Sequence, residues 1–254
     1  MRIARVARPD GPAFGAITQG HVALLEGHPF GELRATDQAA PLDDVRLLAP
    51  VIPSKILCVG RNYADHAQEM GNSVPEEPLI FSKPATSVIG PGDAVLLPSL
   101  SGNVHHEAEL AVVIGRLTRR VSVEEASEAI LGYTCADDVT ARDLQRRDGQ
   151  WTRAKGFDTF CPLGPWIDTD IEPADGLDVS CRVNGETRQA GNTRDLFFDV
   201  PTIIAYCAAF TTLLPGDVIL TGTPAGVGPL VDGDEVEVAV EGLGVLEHTA
   251  VSEE

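Results

Sequence analysis

Two glutamates at the start of an apolar run are the residues whose type and spacing first indicate chemistry. The segment His105-His106-Glu107-Ala108-Glu109 leads into residues 110–115, which are rich in Val and close on a glycine. Such a run is typical of a buried strand, on which alternate side chains share a face. Glu107 and Glu109 are therefore expected on one face, and the same alternation allows His105 to join them.

Two neighbouring carboxylates at the mouth of a buried strand need a counter-charge. Burying them unpaired is costly, and a bound cation, a proton or a nearby Arg or Lys relieves the repulsion. Oxygen-only ligands favour a hard divalent ion such as Mg²⁺ or Mn²⁺. The alternative is a solvated strand end with two harmless glutamates, since Glu-x-Glu is a common pattern.

A second candidate pair, His66 and Glu69, lies in a short helical turn predicted for residues 64–70. Because the two residues are three positions apart, a helix places them on one face, where a carboxylate can orient an imidazole or share its proton. The alternative is a surface pair without function. The predicted turn follows a buried strand, residues 55–60, and precedes a polar loop, residues 71–78, that we expect to be mobile.

A third carboxylate for a metal site is available at Asp137 or Asp138. Both follow a predicted strand at residues 133–136 and precede a predicted helix at 140–145. One of them can complete a three-carboxylate site. The alternative is an N-cap aspartate that stabilises the helix start, and both roles can be filled, one by each residue.

Length and composition limit the classes of protein. The 254 residues can bury a full core, and an apolar fraction of 43% is ordinary for a globular protein. The formal net charge of −19 argues against nucleic acid or an anionic membrane as a partner. Five scattered cysteines without C-x-x-C spacing predict reduced thiols in a cytoplasmic protein. Residues 1–11 carry no apolar signal segment and no run is long enough to span a bilayer, so we expect neither secretion nor membrane insertion.

The elements that must position these side chains are mainly strands. Residues 1–52 are predicted to form a small N-terminal β domain, and residues 53–254 a larger catalytic domain. Asn184-Gly185 between two strand-like segments predicts a hairpin with a type I′ turn. The glycine-rich loop at 222–228 opens no helix and lacks Gly-Lys-Ser/Thr, which argues against a P-loop or dinucleotide fingerprint.

Helices are predicted at few places. A capping box formed by Ser122 and Glu125 indicates a short helix that runs to about Leu131. Asp199, with a proline two residues later, indicates the start of a second helix at 202–213, whose near-continuous apolarity predicts burial on most sides.

Taken together, the ordered motifs resemble the fumarylacetoacetate hydrolase family over about residues 55 to 250. No single motif is specific, but the set in this order is. The first fifty residues resemble the variable N-terminal extension of bacterial members. The matching motifs are Gly60-Arg61-Asn62-Tyr63 with His66 and Glu69, Phe81-Ser82-Lys83-Pro84, His106-Glu107-Ala108-Glu109-Leu110, Asp138 to Gln145, Lys155-Gly156, and Leu220 to Gly228.

The resemblance implies a mixed, mostly β fold: a mixed β-sheet roll with a few short helices and the small N-terminal β unit. It also implies a homodimer and a divalent metal cofactor, usually Mg²⁺, for which Mn²⁺ or Ca²⁺ can substitute. By position, Glu107, Glu109 and Asp138 match the metal ligands. Asp138 is preferred to Asp137 because it directly precedes Val-Thr-Ala-Arg-Asp.

Roles for further residues also follow from the resemblance. His66 and Glu69 match a catalytic acid/base pair on a lid that orders when ligand binds. Lys155 and Thr223 match groups that hold the substrate and stabilise a developing oxyanion. The remaining substrate-binding candidates are the pocket residues Arg142 and Gln145 and, at the pocket rim, Arg61, Tyr63 and Lys83.

The resemblance further implies activity on a small 2-oxo or enol carboxylic acid, in the catabolism of aromatic compounds. Hydrolytic C–C cleavage of an acylpyruvate-type diketo acid is the first choice. A 2-hydroxyhepta-2,4-diene-1,7-dioate isomerase or an oxaloacetate-type decarboxylase is the alternative, because a polarised ketone and a stabilised enolate serve all three reactions. A further alternative is a catalytically silent homologue that keeps the metal site only to stabilise the fold. The presence of His66, Glu69 and Lys155 argues against it.

Overall fold

Strands make up most of the molecule, which confirms the mixed, mostly β fold predicted from the sequence. The computed structural model describes residues 1–71, 73 and 75–253, so two positions of the predicted loop at 71–78 lie outside the described residues. The first strands are β1 (Arg2–Val6), β2 (Ala13–Thr18), β3 (His21–Gly27), β4 (Leu33–Pro41), β5 (Leu47–Leu48), β6 (Ile56–Gly60), β7 (Leu79–Lys83), β8 (Val88–Ile89), β9 (Ala94–Leu97) and β10 (Val104–His105). The others are β11 (Ala108–Ile114), β12 (Ile130–Asp137), β13 (Thr140–Ala141), β14 (Cys161–Asp168), β15 (Asp178–Val183), β16 (Glu186–Asn192), β17 (Val218–Leu220), β18 (Glu235–Val240) and β19 (Gly244–Ser252).

The helices are short. They are α1 (Ala64–Glu69), α2 (Val123–Ala126), α3 (Arg142–Asp148), α4 (Thr152–Lys155) and α5 (Val200–Phe210), with 3₁₀ turns at Leu42–Asp44, Ala85–Ser87, Ser127–Ala129, Pro173–Asp175 and Thr193–Asp195. None of the helices in the described part of the chain is long and apolar enough to cross a bilayer.

Two main sheets form from the described strands. The larger has twelve strands in the order β4-β3-β2-β1-β14-β12-β11-β17-β6-β7, with β5 added to β1 and β8 added to β14. The smaller has five, in the order β16-β15-β18-β19-β9, and β10 pairs with β13. The hairpin between β15 and β16 is confirmed, with positive φ at both Asn184 (51°) and Gly185 (76°), as a type I′ turn requires.

Strand β11 lies at the centre of the molecule, and all of its residues are buried. The period of two sends Leu110 and Val112 into the core that packs the small sheet and α5 against the large one. Ala111 and Val113 face the opposite core, beside β6 and β14. Glu109 shares the face of Ala111, so the strand pattern that buries the core also buries this carboxylate.

The N-terminal strands extend the large sheet. Strand β1 pairs antiparallel with β14, Arg2 opposite Asp168 and Ile3 opposite Ile167. Its other neighbours are β2 and β5, and Ile3, Ala4 and Val6 are buried. Residues 1–52 thus contribute a β unit that is hydrogen-bonded to the rest, while the boundary at residue 52 stays a prediction.

Some predicted elements have other limits. The helix predicted to reach about Leu131 ends earlier, because Ile130 and the residues after it pair with β11 as part of β12. Gly132 belongs to that strand: a Cβ there would lie 2.4 Å from the carbonyl oxygen of Asp168, on neighbouring β14. The apolar helix α5 is confirmed, with Asp199 Oδ1 accepting from the Thr202 amide at 2.9 Å, but it ends at Phe210.

The alternative of an N-cap aspartate at the start of α3 is wrong. Neither Asp137 nor Asp138 caps α3, which begins at Arg142 after Ala141 without a side-chain cap. Lys155 lies at the end of the next short helix, α4. Both aspartates are drawn into contacts with distant strands, and these contacts override the local capping preference.

Candidate active site

Three buried carboxylates, Glu107, Glu109 and Asp138, meet where β11 and β12 lie side by side. One oxygen from each lies within 4.8 Å of the others. The register that places Ala108 opposite Asp137, together with the Asp138 amide donating to the Glu107 carbonyl at 2.9 Å, brings the third carboxylate to the first two. The structure therefore brings together the predicted ligand set.

Buried cations neutralise two of these carboxylates. Lys155 Nζ donates to Glu107 Oε2 at 2.7 Å and to Asp138 Oδ2 at 2.6 Å. Lys83 Nζ binds Asp138 Oδ1 at 2.6 Å, and Arg142 Nη2 lies 2.5 Å from Glu107 Oε1. Burial alone would raise the pKa of Glu107, but Lys155 and Arg142 hold it well below its usual range. Burial likewise opposes the charge of Lys155, and Asp138 and Glu107 raise its pKa.

Glu109 makes no ion pair within the described residues. Its Oε2 accepts from the Gly222 amide at 2.7 Å. Burial, together with the charges of Asp138 and Glu107, raises the pKa of Glu109 well above its ordinary value. A buried carboxylate that lacks a cation, beside two that are paired with cations, suits a hard divalent ion with oxygen ligands. The residues present therefore fit the metal that the sequence resemblance implies.

His66 and Glu69 form the predicted pair on α1. Nδ1 of His66 lies 3.2 Å from Oε2 of Glu69. Both carboxylate oxygens of Glu69 accept from the Gly226 amide, at 3.0 and 3.2 Å, which ties α1 to the glycine-rich loop. Burial lowers the pKa of His66, and the charge of Glu107 and the hydrogen bond to Glu69 oppose that shift.

One cavity of about 440 Å³ joins the carboxylate cluster to the His66–Glu69 pair. Among the predicted site residues, those that line it are Arg61, His66, Glu69, Glu107, Glu109, Asp138, Arg142, Gln145, Lys155 and Thr223. The lining residues that sequence reasoning missed are Val59, Gly60, Met70, Phe81, Arg146 and Trp151.

Tyr63 and Lys83 were predicted at the pocket rim, but neither lines the cavity. Lys83 is buried beneath it, where its ammonium binds Asp138 and the Val139 carbonyl at 3.1 Å. Tyr63 is buried at the start of α1, and its hydroxyl has no hydrogen-bond partner within the described residues. Lys83 thus supports a carboxylate from behind.

An aromatic wall was not predicted. Trp151 packs edge-on against Phe81, with ring centroids 5.1 Å apart, and Lys155 Nζ lies 4.8 Å from the Phe81 ring centre. Gly60 makes room for this wall, since a Cβ there would lie 2.7 Å from the Trp151 ring. The sequence offers one sign of this wall, because Trp151 is a large aromatic residue within the polar stretch 148–156.

Two arginines at the cavity are free of partners. The side chains of Arg61 and Arg146 line it and make no ion pair or hydrogen bond within the described part of the chain. Both guanidinium groups are therefore available to an anionic ligand.

A hydrogen-bonded layer behind the site was also missed. The Gln189 side chain accepts from the Ala108 amide at 3.0 Å and donates to Thr223 Oγ1 at 2.7 Å. Thr223 Oγ1 in turn donates to the Ala108 carbonyl at 2.8 Å. Asp137 Oδ1 accepts from the Glu107 amide at 2.7 Å. These contacts fix the backbone on both sides of Glu107.

Two sequence families match the chain. Residues 55–251 match the family described as fumarylacetoacetate (FAA) hydrolase C-terminal, and residues 1–50 match the family described as Rv2993c-like, N-terminal. The chain is 50% identical to protein Rv2993c of Mycobacterium tuberculosis over 260 residues, which cover 99% of this chain and 98% of that protein.

Relatives whose names state an activity include a human protein and a bacterial protein of known structure. The chain is 49% identical over 223 residues to the Homo sapiens protein named oxaloacetate tautomerase FAHD2A, mitochondrial, covering 83% of this chain and 71% of that protein. A solved structure from Mycobacterium smegmatis, described as 5-carboxymethyl-2-hydroxymuconate delta-isomerase, is 50% identical. It superposes with a TM-score of 0.93, with 100% of each chain covered.

Proposed function

This chain belongs to the fumarylacetoacetate hydrolase family, and we propose that it is a Mg²⁺-dependent enzyme acting on a small 2-oxo or enol dicarboxylic acid. The observation that carries the proposal is the single cavity in which the three carboxylates face the His66–Glu69 pair. The reaction we place first is keto–enol tautomerisation, in which a proton moves between C3 and the 2-oxo oxygen.

The protein groups have separate tasks in this reaction. Glu107, Glu109 and Asp138 would hold the ion, which when bound supplies polarisation of the 2-oxo group. Neutral His66, oriented by Glu69, takes the proton from C3 of the keto form. Lys155, whose ammonium lies between two of the carboxylates, donates a hydrogen bond to the oxygen that gains negative charge. His66 then returns this proton to that oxygen, directly or through a water, which completes the enol and restores the neutral base.

The two unpaired arginines support a dicarboxylate. The first carboxylate of the substrate sits beside its 2-oxo group, near the metal ligands. Arg61 and Arg146 line the same cavity and offer guanidinium groups for a second carboxylate. Oxaloacetate and 5-carboxymethyl-2-hydroxymuconate, named in the two relatives, both carry more than one carboxylate.

C–C hydrolysis of an acylpyruvate-type diketo acid is the second candidate, supported by the contact between His66 and Glu69. An imidazole held by a carboxylate can activate a water against the more distant carbonyl of such a substrate. His66→Ala should then abolish cleavage and spare much of any oxaloacetate decarboxylation, because only cleavage needs an activated water. A similar fall of both rates would argue against a water-activating role.

The deciding experiment is a substrate panel with and without Mg²⁺. Tautomerisation and decarboxylation of oxaloacetate and cleavage of acetylpyruvate are followed by absorbance, with wild-type protein and Glu109→Ala. We expect Mg²⁺-dependent tautomerisation that is lost in Glu109→Ala. Faster acetylpyruvate cleavage would put hydrolysis first, and no turnover of any compound would favour a catalytically silent protein.

We also propose a cytoplasmic homodimer. The five free, buried thiols are typical of a reducing compartment. The homodimer rests on the family resemblance, and sedimentation equilibrium of the full chain tests it.

A further inference from the structure

His248 is the polar residue in the inward row of strand β19. Leu246, His248 and Ala250 alternate with exposed residues and face the core, and the His248 side chain is fully buried. An imidazole at a core position costs stability where its nitrogens lack partners, and Nδ1 of His248 has none within the described residues. The contact that Nε2 makes is therefore informative.

The partner of Nε2 belongs to the other sheet. Nε2 of His248 lies 2.8 Å from Asp137 Oδ2, and both side chains are fully buried. The other oxygen of Asp137 accepts from the Glu107 amide at 2.7 Å. A chain of two hydrogen bonds thus leads from the small sheet to the backbone of a carboxylate of the candidate metal site.

The position of these two hydrogen bonds matters for the geometry of the metal-ligand carboxylates. The Glu107 amide is held by Asp137, and the Glu107 carbonyl accepts from the Asp138 amide at 2.9 Å. Glu107 and Asp138 are therefore fixed relative to each other through two contacts that meet at the backbone of Glu107. A metal site needs its ligand carboxylates held to within a fraction of an ångström, and the residues that orient them affect affinity strongly.

We propose that His248 is a positioning residue of the metal site, acting through Asp137 on Glu107 and Asp138. The inference rests on the proposed function in taking Glu107, Glu109 and Asp138 as the ligands. His248 touches neither ion nor substrate. It holds the Asp137 carboxylate in the orientation that presents Oδ1 to the Glu107 amide.

The test measures metal binding by the full chain without substrate, using Mn²⁺ and isothermal titration calorimetry. In His248→Gln the amide nitrogen can replace Nε2 as the donor, and we expect affinity near that of the wild type. His248→Leu keeps the bulk and loses the donor, and we expect a loss of about 10–100-fold in affinity. His248→Asn has the same amide on a shorter stem that stops short of Asp137, and should behave like the Leu variant.

The control is Val236→Ala, which truncates the buried cross-strand neighbour of His248. It should lower the melting temperature without changing Mn²⁺ affinity. If His248→Leu binds Mn²⁺ as the wild type does, or if the Gln variant loses as much as the Leu variant, the positioning role is wrong. If the Leu variant does not fold, the Gln and Asn pair decides, and equal affinities overturn the proposal.

Failure of the proposed function gives a different result. A wild-type protein that binds Mn²⁺ but turns over no 2-oxo acid refutes the enzyme assignment while the affinity series still decides the role of His248. A wild-type protein without affinity for any divalent ion refutes the ligand set, and with it both proposals.

Discussion

Glu109 differs from its neighbours in the site because its charge has no cation. Its pKa in the folded chain lies above the ordinary value of 4.5, owing to burial and to the charges of Asp138 and Glu107. The folded metal-free protein therefore prefers Glu109 protonated. The stabilisation from this preference is fully present below pH 4.5 and is lost as pH rises through the raised pKa.

Replacing Glu109 by Gln should remove this pH dependence. We expect the stability of metal-free wild type to fall relative to metal-free Glu109→Gln as pH rises above 4.5 and through the raised pKa of Glu109. Its Mn²⁺ affinity should fall by more than about 100-fold. Removing a metal ligand should cost more affinity than removing a residue that only orients a ligand. Urea denaturation from pH 4 to pH 8, with and without Mn²⁺, measures both effects. Parallel stability curves for the two proteins would contradict the raised pKa.

The pH dependence of the rate should follow His66. Its pKa is lowered, chiefly by burial, so the neutral base persists to a pH below the ordinary 6.5. We expect the acid limb of kcat/KM to lie below pH 6.5. In Glu69→Gln the limb should move to still lower pH, because the carboxylate that raises the pKa is gone. A pH–rate profile of both proteins checks this, and an upward shift in the variant would exclude His66 as the base.

At the scale of elements, α1 is a helix of the site that cannot be stable on its own. It has six residues and no side-chain cap at Tyr63, and isolated helices shorter than ~12–15 residues are marginal in water. Its attachments are buried His66 and Ala67 and the Glu69–Gly226 contact. Such an element can close over ligand at little cost.

We predict that about residues 63 to 78, which comprise α1 and the segment after it, act as a lid on the cavity. With Mg²⁺ alone, amides in this region should exchange quickly. Mg²⁺ plus oxalate, an analogue of a 2-oxo acid, should protect them, because closure adds ligand contacts and excludes water. Hydrogen exchange with mass spectrometry measures the difference, with α5 as the internal reference. Equal, strong protection in both states would mean a preformed rigid pocket.

The cap of α5 makes a stability prediction that is independent of the site. Asp199 accepts from the Thr202 amide at the helix start. Asp199→Ala should cost about 1 kcal/mol of unfolding free energy, the usual value for a lost N-cap, and leave Mn²⁺ affinity unchanged. Asp37→Ala removes an exposed charge on β4 and serves as the matched control in chemical denaturation. Equal stability of the two variants would show that the cap contributes nothing.

Elements with local signals were predictable, and those set by distant pairing were not. The hairpin at Asn184 and the cap at Asp199 follow from residues within a few positions of each other. Ile130 joins a strand because β11 pairs with it, which no local pattern indicates. Likewise Gln189 and His248 acquire their roles from partners 81 and 111 residues away. The carboxylates of the site could be predicted because charged residues stand next to a strongly apolar strand segment. The residues that hold them in place, such as Gln189 and His248, look like ordinary strand residues in the sequence.

At the scale of the whole molecule, the N-terminal unit and the site share one sheet. Strand β1 covers the edge of β14, which pairs with β12, the strand that leads to Asp138. An uncovered edge strand invites pairing with other chains. The unit adds no side chain to the cavity lining, so we expect its contribution to be to stability and solubility.

Deleting residues 1–50 tests this arrangement. We expect a lower melting temperature and concentration-dependent aggregation, because the β14 edge and the core beneath Ile3 and Val6 become exposed. Mn²⁺ affinity of the fraction that does not aggregate should persist. Arg2→Ala removes the ion pair with Asp168, a hydrogen bond to the Gly242 carbonyl and a contact with the Trp166 ring, all of them partly exposed or exposed. It is the mild control and should lower the melting temperature much less than the deletion does. An unchanged melting temperature would show that the two parts are energetically independent.

The five buried thiols allow local opening of the folded chain to be followed over time by chemical labelling. Burial raises the pKa of each, to about 12 for Cys135, Cys161 and Cys207, so the reactive thiolate is scarce until the surrounding core admits water. Cys58, Cys135 and Cys161 lie in the large sheet, Cys181 in the small sheet, and Cys207 in α5. A labelling time course read by mass spectrometry would then report, from the natural chain without an added probe, which layer loosens first.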